Sequence, residues 1–239
     1  MNIYFFGEDS PTKSVHILKN IVIKSLHCIE PLFNPSDAEF NINSSNFFGL
    51  TLQGNHWKQK KPTSNFDDLC SFIADIYQND DEFIFWHIDA DTTWSNDAGY
   101  QLSKNILQLE EIVFKKVEAF SNSKKKAFNK DELYKKLILV EPFYSIESWL
   151  YENYEIVRDS HKPHYEALKK FKEKHGDTFD LISQVKEKTS VKDEINIELS
   201  NNFPSSRINQ IGMSYSLFLS LLKENLPLNE AIPKRQTLF

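Results

Sequence analysis

The run Phe83-Ile84-Phe85-Trp86-His87-Ile88 is the most apolar stretch of this 239-residue chain. Its aromatic and β-branched side chains are typical of a strand that is buried on both faces of a sheet. The run ends at Asp89-Ala90-Asp91, where two carboxylates follow the last apolar residue. The stretch therefore predicts a central strand whose carboxyl end carries two acidic side chains.

Two shorter apolar runs predict further strands of the same sheet. Residues 3–6 (Ile-Tyr-Phe-Phe) are followed by Gly7 and Glu8, and residues 137–140 (Leu-Ile-Leu-Val) are followed by Glu141. Their aromatic and branched content again favours burial within a sheet. All three predicted strands therefore end in acidic residues.

Helical patterns lie between and after these strands. Apolar side chains recur at three- and four-residue spacing, and Ser95 and Ser145 precede two of the patterns as candidate N-caps. Strands that alternate with helices predict an α/β fold, in which a mostly parallel sheet is flanked by helices. The expected helices cover residues 11–26, 66–78, 96–120, 145–154, much of 155–200, and 213–226.

The pattern also divides the chain into two regions. Residues 1–155 are expected to form the α/β domain, and residues 156–239 a helical C-terminal extension. An irregular insertion is expected at about residues 29–65, with one short strand near residues 47–52. The tail up to Phe239 is expected to be loose.

Composition and charge exclude several classes of protein. Hydrophobic residues make up 40% of the chain, which is too many for a wholly disordered one. The formal net charge is -6, whereas a protein that coats nucleic acid usually carries an excess of positive charge. Residues 67–111 contain eleven acids and one lysine, and residues 115–136 contain eight lysines and three acids. On charge alone, two solvated faces are favoured over a phosphate site.

The cysteines and the N-terminus indicate a cytoplasmic protein without membrane contact. Cys28 and Cys70 are far apart in sequence and show no paired spacing, so a disulfide framework and a zinc knuckle are not expected. Acidic residues at positions 8 and 9 come too early for a signal peptide. No apolar run approaches the roughly 18 residues that a membrane span needs.

The acids at the strand ends predict a metal site. Because the carboxyl ends of parallel strands meet at one edge of a sheet, Glu8, Asp89 and Asp91 are expected to lie close together. Carboxylate oxygens are the preferred ligands of Mg²⁺ and Mn²⁺, and these ions keep coordination positions open for a phosphate. Ordinary polar strand ends that meet solvent are the alternative.

At this point the chain resembles the Toprim-domain nuclease family. Gly7-Glu8-Asp9 after a hydrophobic strand is similar to the glutamate motif of that family, and Asp89-Ala90-Asp91 is similar to its DxD motif. The segment Glu141-Pro142-Phe143-Tyr144-Ser145-Ile146-Glu147-Ser148-Trp149-Leu150 is similar to a helix of compact Toprim-like proteins of bacterial anti-phage defence. The overcoming-lysogenization-defect nucleases also belong to the family. The resemblance covers roughly residues 1–155.

The resemblance implies a Toprim-like fold and a metal-dependent hydrolysis of nucleic acid, either DNA or tRNA. Glu8, Asp89 and Asp91 would hold Mg²⁺ or Mn²⁺, and Glu8 could instead act as acid or base. Glu147 would complete the catalytic set, although Glu141 is an alternative for the metal shell. Candidate contacts to the substrate phosphates are Lys13, Lys124, Lys125, Lys126 and Arg207.

The chain also departs from the family pattern and leaves other functions open. The usual glutamate-glycine order is reversed in Gly7-Glu8, and no phosphate loop, zinc ribbon or helicase motif is present, so topoisomerase and primase are poor fits. The run 89–93 (Asp-Ala-Asp-Thr-Thr) also resembles the nucleophile motif of haloacid-dehalogenase phosphatases, with residues 176–180 as a poorly spaced second acidic pair. A sugar-nucleotide transferase and a non-catalytic interaction protein are further alternatives.

The resemblance to defence proteins also implies a partner. An acidic nuclease is poorly steered towards a polyanion, so an ATPase subunit that recruits or releases it would serve its function. The expected docking surface is the helical region 155–239, with an apolar stripe on its last long helix, although this stripe could simply pack on the sheet. The oligomeric state stays open. The stripe consists of Met213, Tyr215, Leu217, Phe218, Leu221 and Leu222.

Overall fold

The computed structural model describes residues 1–7, 14–42, 64–88, 104–142, 146–150, 193–203 and 213–235. In these residues four parallel strands form a sheet in the order β2-β1-β3-β4. Helices cover both faces, and further helices follow at the C-terminus, which confirms the predicted α/β class. The strands are β1 (Asn2–Phe6), β2 (Glu39–Asn41), β3 (Glu82–His87) and β4 (Leu137–Val140).

The helices form two layers. Helices α2 and α3 cover one face of the sheet, and helices α1, α5, α6 and α7 cover the other. The described helices are α1 (Ser14–Ile29), α2 (Ser64–Ile76), α3 (Lys104–Ser123), α4 (Lys130–Lys136), α5 (Glu147–Leu150), α6 (Asp193–Asn201), α7 (Met213–Glu224) and α8 (Leu226–Ala231).

Strand β3 is buried on both faces, as its apolar run predicts. Phe83 and Phe85 enter the core under α1 and the C-terminal helices, whereas Ile84 and Trp86 enter the core under α2 and α3. Each of these four side chains is at most 1% exposed. Alternating side chains of one strand therefore supply both cores, which is the arrangement of a central strand in a parallel sheet.

The strand register aligns the carboxyl ends of three strands. Phe6 of β1 pairs with Trp86 of β3, and His87 of β3 pairs with Val140 of β4. The amide of Ile88 then donates a hydrogen bond to the carbonyl oxygen of Val140 at 3.0 Å. We call the end of the sheet at Gly7, Ile88 and Glu141 the carboxyl edge, and the opposite end the amino edge.

The C-terminal helices share the core of the sheet. Trp149 of α5 lies against Tyr215 and Phe218 of α7, with ring centroids 5.1 and 5.5 Å apart. The hydroxyl of Tyr215 also lies 2.9 Å from the hydroxyl of Ser25 on α1. Residues on both sides of the expected boundary at 155 therefore contribute to one hydrophobic cluster.

Two elements lie where the sequence predicts irregular structure. Strand β2 falls within the segment 29–65, whereas the strand expected near 47–52 lies outside the described residues. Strand β2 is short and only partly buried, so its sequence shows little apolar pattern. Helix α4 lies outside the expected helices and begins shortly after Lys124, Lys125 and Lys126; the side chain of Asn129 caps it by accepting hydrogen bonds from two main-chain amides.

The C-terminal tail is ordered as far as the structure describes it, which corrects the expectation of a loose tail. Helix α8 is capped by the side chain of Asn225, which accepts a hydrogen bond from the amide of Leu228. Beyond α8, Lys234 forms an antiparallel bridge with Phe33 and an ion pair of 2.9 Å with Glu30. These contacts fix the tail to the segment after α1.

The acidic and basic blocks of the sequence face each other between α2 and α3. Lys116 of α3 pairs with Asp67 of α2. Beyond α3, Lys124 pairs with Asp75 at 2.7 Å, and Lys126 lies 3.6 Å from the same carboxylate. Three lysines of the basic block therefore pair with two aspartates of the acidic block beside the interface of α2 and α3. No helix described here combines the length and apolar character that a membrane span requires.

Substitutions on α7 should separate core packing from surface exposure. Leu222 is fully buried and the adjacent Leu221 is 46% exposed, so Leu222→Ala and Leu221→Ala make the same chemical change in two environments. We expect Leu222→Ala to lower the free energy of unfolding by about 2 to 4 kcal/mol. Leu221→Ala should change it by less than about 0.5 kcal/mol. Urea unfolding measures both, and equal effects would contradict the assignment of α7 to the core.

Candidate functional site

Most of the predicted site residues lie outside the described ranges of the structure. Glu147 is the first residue of α5, but its side chain is not among those that the structure describes. The second acidic motif of the phosphatase alternative, residues 176–180, also lies outside the described ranges. The predicted site residues outside these ranges are Glu8, Asp89, Asp91, Lys13 and Arg207.

The described strands nevertheless lead directly to the predicted metal ligands. The described residues after β1 end at Gly7, just before Glu8 in the sequence, and those after β3 end at Ile88, just before Asp89. Strands β1 and β3 are parallel neighbours, and neighbouring strands lie about 4.8 Å apart. Consecutive Cα atoms are about 3.8 Å apart, so both acids are joined to the carboxyl edge by a single peptide link.

Glu141 is the acidic residue that the structure describes at the carboxyl edge. It follows β4 directly and is partly buried. Burial, and to a lesser extent the nearby carboxylate of Glu110, raises the pKa of its carboxyl group to about 8. Without a bound cation, this group therefore holds its proton at neutral pH. A carboxylic acid of this kind can donate a proton or, beside a cation, become a ligand.

Glu110 lies on α3 and extends the acidic character of this region. Burial also raises the pKa of Glu110, and the positive charge of Lys130 partly offsets that effect. Glu110 was not among the predicted site residues because it falls within a helical pattern. No short sequence motif indicates that it lies near Glu141. The fold, and not the local sequence, brings the two carboxyl groups close enough to interact.

The predicted phosphate-binding lysines lie at the amino edge. The ammonium of Lys124 donates to the hydroxyl of Ser71 at 2.9 Å as well as to Asp75, and both partners belong to the C-terminal half of α2. Helix α2 leads into the loop whose Asp81 carbonyl accepts a hydrogen bond from Asn2, the first residue of β1. The structure therefore does not bring this lysine cluster to the carboxyl edge.

The turn after α3 explains how these lysines are held. Lys125 has a φ of 58°, in the left-handed region, and the amide of Lys126 bonds to the carbonyl of Ser121 at 2.9 Å. The ammonium of Lys126 bonds to the main-chain carbonyl of Asp75 at 3.2 Å. Two of the three lysines thus join α2 to the end of α3, and this is their observed role.

Other residues that the sequence singled out belong to the core. Trp86, Trp149 and His87 are each at most 2% exposed, as expected for side chains within the two hydrophobic layers. Cys70 is fully buried, and burial raises the pKa of its thiol to about 12. This thiol stays protonated at neutral pH, which fits the expectation of a buried thiol rather than a nucleophile. Cys28 is partly buried.

The described residues alone do not form a metal site. They contain no group of three or more His, Cys, Asp or Glu side chains that could hold a metal ion. The residue types at the carboxyl edge fit a hard divalent cation, because all its donors would be carboxylate oxygens.

Comparisons of this chain with protein-family models, with curated proteins and with solved structures found no match.

The pKa of Glu141 gives a testable pH dependence of stability. Its folded value of about 8 lies above the ordinary value of 4.5, so the folded state binds the proton more tightly. The free energy of unfolding should therefore fall as the pH rises between these values. In metal-free buffer, Glu141→Gln should remove this loss and be more stable than the parent by at least about 1 kcal/mol at pH 8.

Urea unfolding at pH 5 and pH 8 measures the effect. The matched control is Glu111→Gln on the exposed side of α3, where the carboxylate pairs with Lys115 at 2.5 Å. This control should keep the pH dependence of the parent. If the free energy of unfolding of Glu141→Gln changes between pH 5 and pH 8 by as much as that of the parent, the placement of Glu141 is contradicted.

Proposed function

We propose that this protein is a Toprim-like, metal-dependent phosphodiesterase that hydrolyses nucleic acid. One observation carries the proposal: three neighbouring parallel strands, β1, β3 and β4, lead at one edge to Glu8, Asp89 and Glu141. The strands are adjacent in the sheet although they are far apart in sequence. In open parallel sheets, this edge is where ligands bind.

The proposed metal ligands are Glu8, Asp89 and Asp91. When bound, Mg²⁺ or Mn²⁺ supplies an activated water and neutralises charge on the phosphate oxygens. The donor set fits these ions because it consists of carboxylates from two adjacent strand ends. In this proposal Glu147 completes the catalytic set from the start of α5, the element that follows β4 in the chain.

Glu141 supplies a proton in this proposal. Its raised pKa keeps the carboxyl group protonated at neutral pH, so an Oε atom carries a proton that can pass to the leaving oxygen of a cleaved phosphodiester. Its neighbour Glu110 helps to hold that proton by raising the pKa. The acid thus comes from β4 and the metal ligands come from β1 and β3.

Substrate phosphates are bound mainly by Lys13 and Arg207 in this proposal. Lys13 directly precedes α1, which follows the strand that leads to Glu8. The lysines at 124–126 are less suited to this task, because Lys124 and Lys126 are engaged by Asp75 at the amino edge. DNA and tRNA share the phosphodiester that this site would recognise, and the choice between them stays open.

The proposed biological role is that of an effector in bacterial anti-phage defence, acting in the cytoplasm with an ATPase subunit. The net charge of -6 disfavours unaided approach to a polyanion, which supports recruitment by a partner. Helix α7 buries Tyr215, Phe218 and Leu222 in the core. Two other residues of the predicted stripe, Leu217 and Leu221, are 50% and 46% exposed. A partner could contact these two side chains.

Hydrolysis assays test the proposed reaction. The full chain is incubated with DNA and with total tRNA in buffer containing Mg²⁺ or Mn²⁺, with and without added ATPase partner. We expect cleavage by the parent and a loss of at least about 100-fold in the Asp89→Ala, Asp91→Ala double variant. Cleavage that survives in the double variant would overturn the proposal.

The control replaces two aspartates at the other end of the same strand. Asp80 and Asp81 are exposed and precede β3, so Asp80→Ala, Asp81→Ala removes the same number of carboxylates at the amino edge. This control should keep at least half of the parent activity. Hydrolysis of a generic phosphomonoester, with none of the polynucleotides, would favour the haloacid-dehalogenase alternative.

A melting experiment separates a metal enzyme from a non-catalytic interaction protein. A ligand that binds the folded state at 100 times its Kd stabilises it by about 2.7 kcal/mol. For a chain of this size that corresponds to a rise in Tm of roughly 5 to 10 °C. We expect this rise with Mg²⁺ or Mn²⁺ in the parent, and we expect Asp89→Asn to abolish it.

Potassium chloride at matched ionic strength is the control for general salt effects. An interaction protein with idle carboxylates should show no specific response to the divalent ions, and its Asp89→Asn variant should be at least as stable as the parent. An unchanged metal response in Asp89→Asn would show that the ions bind elsewhere.

A further inference from the structure

A groove with a volume of about 260 Å³ lies between α3 and α4. Its lining combines three aromatic rings with two lysines and three glutamates. The rings belong to Phe114 of α3, Tyr134 of α4 and Phe128 of the segment between them. The groove contains none of the proposed metal ligands and no residue of the predicted docking stripe, and it shares only Glu110 with the proposed acid at the carboxyl edge.

An ammonium group is already seated in this groove. The Nζ atom of Lys130 lies 5.4 Å from the ring centroid of Phe114 and 5.5 Å from that of Tyr134. The two rings are 4.4 Å apart between centroids and tilted by 56°. Both cation-to-ring distances are within the range in which an aromatic face attracts a cation. The chain's own lysine therefore shows which chemical group the rings accommodate.

The carboxylates of the groove add to the same preference. Glu111 is neutralised by its ion pair of 2.5 Å with Lys115, which leaves Glu110 and Glu118 facing the single charge of Lys130. Glu110 and Lys130 interact electrostatically, as the opposing effect of Lys130 on the pKa of Glu110 shows. A phosphate or carboxylate ligand would meet the acidic side chains of Glu110 and Glu118 here, whereas a cation would be attracted and would favour the ionised form of Glu110.

We propose that the groove between α3 and α4 binds an alkylammonium ion, which places its ammonium over Phe114 and Tyr134 and beside Glu110. The ligand takes the position of the Lys130 ammonium. Lys130 is the first residue of α4 and is exposed, so its side chain can turn to solvent for the cost of a rotamer change. The aromatic pair itself can stay in place.

The ligand class is a primary ammonium on a chain of four or five carbons, because that is the shape of the lysine side chain. Such a group can come from a free diamine or from a lysine of a polypeptide. Two probes represent these sources: 1,5-diaminopentane, and lysine with both main-chain ends blocked as amides. Tighter binding of the diamine identifies the free ligand, and equal or tighter binding of the blocked lysine identifies the side chain.

Calorimetric titration of the full chain with each probe tests the proposal without any nucleic acid. We expect saturable binding by the parent and binding about 2- to 5-fold tighter in Lys130→Ala, because the internal competitor is gone. Lys135→Ala is the control, since Lys135 lies on the same helix but pairs with Glu132 at 3.1 Å. Its affinity should equal that of the parent.

Substitutions of the lining test the two recognition elements separately. Tyr134 is 45% exposed, so Tyr134→Ala should fold normally and weaken binding by about 2- to 5-fold, whereas Tyr134→Phe should retain it. Glu110→Gln should also weaken binding, by at least about 2-fold. Circular dichroism and urea unfolding confirm that each variant is folded.

Three results would overturn the proposal. They are the absence of saturable binding by the parent, equal affinities of the parent and Lys130→Ala, and equal binding of uncharged 1,5-pentanediol. Because the readout is binding rather than hydrolysis, these results are independent of whether the protein cleaves nucleic acid. Conversely, a failed nuclease assay leaves this test unchanged.

Discussion

Burial of β3 on both faces is the constraint on which the rest of the structure depends. Phe83 enters one core and Trp86 enters the other, so neither layer of helices can form without the correct register of this strand. A slip of one residue would turn each side chain to the opposite face and disrupt both cores. The same register sets Gly7, Ile88 and Glu141 at one edge, so the geometry of the proposed site follows from hydrophobic packing.

The second layer of the fold depends on contacts between distant parts of the chain. Trp149, Tyr215 and Phe218 form an aromatic cluster with α1, and the hydroxyl groups of Ser25 and Tyr215 meet within this apolar layer. A buried hydroxyl is costly unless it has a partner, so this pair favours one orientation of α7 on α1. The C-terminal helices are thus part of the unit that presents the carboxyl edge.

The elements that the sequence predicted are those whose own residues carry the apolar pattern, as in β3 and β4. Strand β2 has three partly exposed residues, so its pairing with β1 depends on main-chain hydrogen bonds that no side-chain pattern marks. Helix α4 does carry a local signal, because Asn129 is followed by Asp131 and Glu132 in the first turn. The ion pair of Lys124 with Asp75 joins residues 49 apart in sequence, and no short motif could have predicted it.

Glu141 links the energetics of the fold to its proposed chemistry. Burying an ionisable carboxyl group beside the second carboxyl group of Glu110 disfavours the charged form of both groups. Lys130 offsets this effect at Glu110, but no such compensation acts on Glu141 in its described surroundings. A glutamine of the same shape would fill this position without that electrostatic cost. A titratable group at this position can exchange a proton or meet a cation, and both events would be part of the phosphodiester hydrolysis proposed for the carboxyl edge.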